Sequence, residues 1–168
     1  MKIVMNLKRE IKYASAANIL VFIAISLLCC LVSQLFCRNM RYYYQILLPA
    51  FALSAGGFCF LRMLMFALSG FAAGLVSGNT DKCRKKKKTL GLIVYALLLI
   101  CVSVWCPLTF GGCCFILGFI LSLGVVALSF AVMRIYVKVS LIAGFSMLVF
   151  LLWSIYCSVL AFCILLLN

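Results

Sequence analysis

Five long apolar runs, separated by polar connections, constrain this chain more than any motif in it. The runs cover residues 14–37, 50–77, 90–106, 113–133 and 141–167. A helix of about 20 mostly apolar residues crosses a hydrocarbon core of about 30 Å, because each helical residue advances roughly 1.5 Å. The runs lack the alternation of apolar and polar residues that is typical of membrane β-barrel strands. The sequence therefore predicts an all-α membrane protein in which residues 1–168 form a single five-transmembrane-helix bundle.

Positive charge falls on alternate connections and predicts an orientation. Twelve of the 15 lysine and arginine residues lie in the segments 2–12, 82–88 and 134–138, which five spans place on one side of the membrane. Because basic loops stay in the cytoplasm, we expect a cytoplasmic N-terminus and an external C-terminus. The predicted location is the bacterial cytoplasmic membrane, or the outer mitochondrial membrane if the source is eukaryotic.

The net charge of +13 also raises the question of a nucleic-acid partner. The basic residues lie directly beside the spans, where each gains about 1 kcal/mol from anionic lipid headgroups. We therefore expect membrane lipid, and no nucleic acid, as the partner of this charge. Docking of a cytoplasmic protein on the lysines at 85–88 is the alternative.

Eleven cysteines raise the question of metal or redox chemistry. The chain has no Cys-x-x-Cys spacing and no histidine, and its only acids are Glu10 and Asp81, so no metal site is expected. Most of the cysteines lie within the runs, where a thiol packs as a small hydrophobic group. Four lie near the predicted external ends of the spans: Cys37, Cys106, Cys113 and Cys114. In an oxidising compartment, one disulfide between the first and third connections is an alternative that the sequence leaves open.

The scarcity of acids and the absence of histidine also limit the enzyme classes. Ser-His-Asp, paired-carboxylate and metal-assisted chemistry all need residues that the spans do not contain. A proton relay through intramembrane Asp or Glu is excluded for the same reason. We therefore expect a protein that is not an enzyme and that requires no cofactor.

One charged residue lies deep inside a run. Arg62 is twelve residues beyond Ala50, which places it about 18 Å into the second span, near the bilayer midplane. An arginine at that depth costs roughly 2.5–3.5 kcal/mol on insertion scales, so it should face a cavity, carbonyl groups or a partner rather than lipid. Two interpretations stay open: an arginine that is satisfied within the bundle, and an arginine that contacts an anionic ligand.

Small residues repeat every four positions later in the second run. Gly70, Gly74 and Gly78 would form a flat ridge on one helix face, and such a ridge lets another helix approach closely. The ridge therefore predicts close helix contact, either within the bundle or with a second copy of the chain in a homodimer.

Aromatic and proline landmarks match a known pattern. The segment Trp-Cys-Pro-Leu-Thr-Phe-Gly at 105–111 is similar to a Trp-x-Pro-x-Phe-Phe-Gly pattern, and Leu-Trp-Ser at 152–154 with the final Leu-Asn is similar to the closing segment of the same family. Upstream, Tyr43, Tyr44 and Pro49 fall in step with its Trp-Tyr and Pro positions. Because these landmarks occur in order over residues 43–168, the chain resembles the TspO/MBR family of translocator and tryptophan-rich sensory proteins.

The resemblance implies a five-helix bundle, often dimeric, with a ligand pocket beneath the connection between the first two helices. Members bind tetrapyrroles, sterols or aromatic drugs, for which aromatic walls offer flat contact area. Residues at positions that match the family's pocket or its lid are taken as ligand-binding. Arg62 is added to them because its depth in the membrane matches that of Trp153. The predicted ligand-binding residues are then Tyr43, Tyr44, Pro49, Arg62, Phe66, Trp105, Phe150 and Trp153.

The chain departs from the family pattern at this predicted pocket. Arg62 stands where the family usually has tryptophan, and Phe66 and Phe150 stand where it has tyrosine. Light-driven porphyrin breakdown, reported for some members, is associated with tryptophans of this pocket. With one of them replaced, only a low activity of that kind is left open.

Three functions fit the sequence. The leading one is a multi-pass membrane protein that binds a planar hydrophobic ligand, a tetrapyrrole such as a porphyrin or a sterol-like molecule, in an aromatic pocket inside the bundle. Its role would be sensory, regulatory or in transport, and a bound porphyrin or haem would be its ligand. The alternatives are a small solute-transport component, such as a substrate-binding membrane subunit, and a structural subunit of a membrane complex.

Overall fold

The computed structural model describes residues 16–37, 46–78, 85–112 and 114–168, and five long helices account for most of them. They are α1 (Ala16–Phe36), α2 (Ala55–Gly78), α3 (Lys85–Cys106), α4 (Phe115–Val137) and α5 (Leu141–Leu167). All five are long and apolar enough to cross a membrane, and no strand occurs in the part of the chain that the structure describes. The predicted all-α, five-helix membrane architecture is confirmed.

Three helix ends differ from the ends of the apolar runs by four residues or more. The helix α2 begins at residue 55 rather than 50, because the chain first makes a turn in which the amide of Ala52 donates to the carbonyl of Pro49 at 2.9 Å. The helix α3 begins at Lys85, five residues before its apolar run, and α4 extends to Val137. Lysine is a good helix former, so a basic segment can continue a helix beyond the apolar part.

The end of α3 continues into one turn of π-helix, Pro107–Gly111. The amide of Gly112 donates to the carbonyl of Pro107 at 2.9 Å, which closes this wider turn. The hydroxyl of Thr109 donates to the carbonyl of Trp105 at 2.8 Å, so the turn stays attached to the last turn of α3. The turn thereby carries Phe110 into the aromatic interior beside Trp105, where the ring centroids are 5.8 Å apart.

The helices form a closed ring in the order α1, α2, α5, α4, α3, with α3 returning to pack against α1. Large apolar side chains such as Leu35, Phe60 and Phe145 cover the outer surface and are more than two-thirds exposed. In a membrane this surface contacts lipid. The interior holds two apolar clusters, one around Phe66 and Tyr95 and one around Phe58 and Trp105.

The glycine ridge of α2 packs against α1 of the same chain. A Cβ atom at Gly70 would lie 2.6 Å from the carbonyl oxygen of Phe22, and one at Gly74 would lie 2.6 Å from the Cα of Ile19. Of the two predicted uses of Gly70, Gly74 and Gly78, the structure therefore shows contact within the bundle at the first two positions. A homodimer through these glycines would require α1 to leave the ridge, while a dimer through another face stays a prediction.

Candidate ligand-binding site

A small cavity lies inside the ring, between α2, α3, α4 and α5. Its volume is about 20 Å³, which is room for about one water molecule. Two residues of α2, two of α3, two of α4 and four of α5 line it: Phe58, Arg62, Val102, Trp105, Ser122, Val125, Phe150, Trp153, Ser154 and Cys157. The wall is mostly apolar and aromatic, which is typical of sites for hydrophobic ligands.

Phe58 lies at the centre of the aromatic wall. Its ring centroid is 5.4 Å from that of Trp153, 6.4 Å from that of Trp105 and 5.9 Å from that of Phe110. The side chain is completely buried. Phe58 therefore occupies space that a larger ligand in this cavity would need.

The two tryptophans of the cavity are held differently. The indole Nε1 of Trp105 donates to the carbonyl of Gly118 at 3.0 Å, so this ring is fixed against α4. Trp153 is only partly buried and stacks on Tyr156, with centroids 5.3 Å apart and planes 29° from parallel. Trp105 is thus tied to α4 by a hydrogen bond, whereas Trp153 is positioned by stacking on its own helix.

Arg62 supplies the charge of the cavity. It is 3% exposed, its Nη2 donates to the hydroxyl of Ser33 at 2.7 Å, and its guanidinium carbon lies 5.5 Å from the ring centroid of Phe66. The only acids of the chain, Glu10 and Asp81, are outside the described residues. The described part of the bundle therefore gives Arg62 hydroxyl and aromatic contacts but no carboxylate side chain, and the guanidinium faces inward, as its predicted depth requires.

The serines of the cavity are already engaged in their own helices. The hydroxyl of Ser154 donates to the carbonyl of Phe150 at 2.9 Å, and that of Ser122 donates to the carbonyl of Phe119 at 2.6 Å. A hydroxyl has one proton to donate, so these groups offer mainly acceptor lone pairs to a ligand. Arg62 is consequently the strong hydrogen-bond donor of this site.

The described part of the first connection, residues 46–54, covers the end of α5. The side-chain amide of Asn168 pairs with the backbone of Leu47, accepting from its amide at 3.1 Å and donating to its carbonyl at 3.2 Å. The amide of Leu53 donates to the hydroxyl of Tyr156 at 3.3 Å. These bonds hold the connection over the stacked pair of Trp153 and Tyr156.

The structure brings together half of the eight predicted ligand-binding residues. Arg62, Trp105, Phe150 and Trp153 line the same cavity. Phe66 contacts the guanidinium of Arg62 but does not line the cavity, and Pro49 lies in the first connection. Tyr43 and Tyr44 are outside the described residues. That any of them binds a ligand stays a prediction.

Sequence reasoning missed six lining residues: Phe58, Val102, Ser122, Val125, Ser154 and Cys157. A signal for some of them was present, because Phe58 and Cys157 each lie one helical turn from a predicted residue on the same face, at i±4 from Arg62 and Trp153. The two residues of α4 carry no such signal, since no predicted residue lies on that helix.

A larger groove of about 460 Å³ lies on the outside of the bundle, where α1 meets α3 and the π-helical turn. Its lining is Val32, Ser33, Phe36, Ser103, Val104, Pro107, Leu108 and Gly112. Ser33 joins this groove to the interior, because its hydroxyl accepts from Arg62 and donates to the carbonyl of Ser103 at 2.5 Å.

These features define a polytopic membrane protein with an aromatic cavity and a buried cation at the centre of a five-helix ring. The sequence profile of the TspO/MBR family matches residues 18–167 of the 168-residue chain. The chain belongs to the TspO/MBR family, and the predicted resemblance is confirmed. A search of curated protein sequences gives no significant match.

Proposed function

We propose that this protein binds a planar hydrophobic ligand that carries an acidic group, of the porphyrin or haem type, in the cavity between α2, α3, α4 and α5. The observation that supports the proposal most is Arg62, a buried cation on an aromatic cavity, with no acidic side chain among the described residues. Aromatic walls suit a flat apolar ring system, and a guanidinium pairs with a carboxylate in a charge-assisted, bidentate bond. A sterol-like ligand would use the walls alone. The proposed role is binding without turnover, for sensing, regulation or transport.

The ligand can enter only if the cavity opens. Its volume of about 20 Å³ is far below the roughly 300–1,000 Å³ of sites for drug-sized ligands. Phe58 fills the centre, and the first connection closes the end, so both must move. Opening costs free energy. The observed affinity is therefore the affinity of the open form multiplied by the fraction of protein that is open.

Replacing Phe58 with alanine is expected to raise the affinity for protoporphyrin, because the ring no longer has to be displaced. The same change should destabilise the protein by roughly 3–5 kcal/mol, the usual effect of removing a buried phenylalanine ring. Fluorescence titration measures the first effect, and thermal unfolding in detergent measures the second. The matched control is Phe60→Ala, two residues away on α2 with a side chain 68% exposed on the outer surface, where neither effect is expected. Destabilisation without any change in affinity would show that the ligand does not use this cavity.

Tryptophan fluorescence tests the proposal directly, because both tryptophans of the chain line the cavity. Titration of the purified protein with protoporphyrin, haem and cholesterol should give saturable quenching with the porphyrins. Trp153→Phe should weaken binding several-fold, since the smaller ring offers a planar ligand less contact area. A soluble tryptophan derivative in the same micelles is the control for non-specific quenching. No saturable quenching by any of the three would favour the structural subunit or the solute-transport component.

For the orientation we propose that the N-terminus and the start of α3 are cytoplasmic. The start of α3 and the end of α4 lie together at one end of the bundle, where a Cβ at Gly91 would lie 3.0 Å from the ring of Tyr136. Six exposed or half-buried cations lie at this end: Lys85, Lys86, Lys87, Lys88, Arg134 and Lys138. The proposed location is the bacterial cytoplasmic membrane, whose inner leaflet attracts such a cluster.

A further inference from the structure

Two cysteines from distant parts of the chain lie in contact at the end of the bundle that carries the first connection. Cys37 directly follows α1 and Cys106 is the last residue of α3, and their Sγ atoms are 3.0 Å apart. Both are buried, with 7% and 1% of their surfaces exposed. They are 69 positions apart in the sequence, so this is a contact of tertiary packing rather than of local sequence.

Arg62 links this thiol pair to the cavity. The positive charge of its guanidinium acts on both sulfurs, and the same guanidinium donates to Ser33, one turn before Cys37, and lines the cavity wall. A neighbouring cation favours the thiolate form of a cysteine, which is the form that attacks a disulfide. The contact between the two sulfurs supplies the proximity that thiol oxidation requires, and the cation favours the attacking thiolate at Cys37, the more exposed member of the pair.

We propose that Cys37 and Cys106 are a redox modification site, at which a reversible disulfide joins the ends of α1 and α3. The S–S bond length is about 2.05 Å, so the two sulfurs need to approach by only about 1 Å from their contact distance of 3.0 Å. The helices α1 and α3 already pack against each other, so the bridge joins neighbours in the ring.

The oxidant is a small disulfide of the glutathione type, and the reaction is thiol–disulfide exchange. Cys37, the more exposed of the two, loses its proton and attacks one sulfur of the oxidant, which breaks that S–S bond and releases one thiol. Cys106 then loses its proton and attacks Sγ of Cys37, which releases the second thiol. Two cysteines are oxidised and one disulfide is reduced. We expect the oxidant to approach from the outer groove, which Phe36 and Pro107, the sequence neighbours of the pair, line.

The bridge changes the surroundings of Arg62. A disulfide has no thiol proton and no thiolate charge, so Arg62 no longer has a thiolate beside it. It keeps its hydrogen bond to Ser33 and its position on the cavity wall. An effect of the bridge on ligand affinity rests on the proposed function, but formation of the bridge does not.

The test is peptide mapping of the full-length protein in neutral detergent, reduced, freed of reductant and then treated with oxidised glutathione. Mass spectrometry should find one linked peptide pair, containing Cys37 and Cys106, with the loss of two hydrogens. Cys37→Ser and Cys106→Ser should each abolish it, and the control Cys163→Ser, in the last turns of α5, should leave it intact. If the parent protein, still folded by circular dichroism, keeps both thiols free or forms its bridge elsewhere, the proposal is overturned.

The role of Arg62 has a separate readout. Arg62→Leu should slow formation of the bridge several-fold at fixed pH, because less thiolate is present, and raising the pH should restore the rate. The control Arg134→Leu removes an equal charge from an exposed position on α4 and should leave the rate unchanged. Equal rates in both variants and the parent would show that Arg62 does not activate the pair. Neither peptide mapping nor the bridging rate uses a cavity ligand, so a negative result in either is distinct from a failure of porphyrin binding.

Discussion

Replacing Arg62 with leucine is expected to lower the affinity for protoporphyrin by at least tenfold. The guanidinium is the strong donor of an otherwise apolar cavity, and a hydrogen bond to a charged group contributes about 1.5–3 kcal/mol. Loss of that bond leaves a ligand carboxylate buried without a partner, which adds to the effect. Fluorescence titration of parent and variant in neutral detergent measures the difference.

Two controls separate a carboxylate contact from a general effect of charge. Arg134→Leu removes the same charge from an exposed residue whose guanidinium carbon lies 5.8 Å from the ring centroid of Phe130, far along α4 from the cavity wall at Ser122 and Val125. It should bind protoporphyrin as the parent does. The dimethyl ester of protoporphyrin, which has the same ring system without carboxylates, should bind parent and Arg62→Leu equally. Unchanged binding of protoporphyrin, and of every other acidic ligand, by Arg62→Leu would contradict the proposed carboxylate contact.

The thermal stability of Arg62→Leu, unlike its affinity for protoporphyrin, should not fall. A buried arginine near the middle of a membrane is unfavourable by roughly 2.5–3.5 kcal/mol on insertion scales, and the described residues offer it a hydroxyl, thiols and an aromatic ring rather than a carboxylate. Leucine removes that penalty, so the variant should unfold at a temperature equal to or above that of the parent. A protein that is stabilised and yet binds less ligand has lost a functional contact rather than its fold.

The depth of Arg62 was predictable because helical rise converts sequence position into distance, with no need to know the neighbouring helices. The same one-dimensional geometry predicted the five spans, since the length and apolar character of each run decide whether it crosses a bilayer. The partner of Arg62 was not predictable in this way. Ser33 lies 29 residues earlier, on another helix, and only the packing of α1 against α2 brings the two side chains to 2.7 Å.

The position of the cavity along α2 could not be predicted from the sequence either. Phe58, Arg62 and Phe66 follow one another at intervals of four residues and therefore share a helix face. The sequence identifies that face, but it does not show at which point along α2 the surrounding helices leave space. In the structure the space lies beside Phe58 and Arg62, while Phe66 packs in the other apolar cluster. The sequence leaves a bridge between the first and third connections open, but it cannot pair Cys37 with Cys106, because only the packing of α1 against α3 brings the two sulfurs together.

Replacing Gly70 with alanine is expected to destabilise the bundle by roughly 1–3 kcal/mol, the usual effect of overpacking a filled interior. The new Cβ would lie 2.6 Å from the carbonyl oxygen of Phe22 and 2.8 Å from the Cα of Ile23. Both are backbone atoms, so no side-chain rotation relieves the contact and α1 must move away from α2. Thermal unfolding in detergent should show a lower midpoint than the parent.

The control for this prediction is Gly124→Ala on α4. A Cβ at Gly124 meets nothing within 4 Å, so it has open space. Alanine is favoured over glycine in a helix by about 1 kcal/mol, so this variant should unfold at an equal or higher temperature than the parent. Because Cys37 directly follows α1, displacement of α1 by Gly70→Ala should also move Cys37 away from Cys106 and slow their bridging, whereas Gly124→Ala should not. Equal unfolding temperatures for the two variants would mean that α1 does not pack on the glycine ridge.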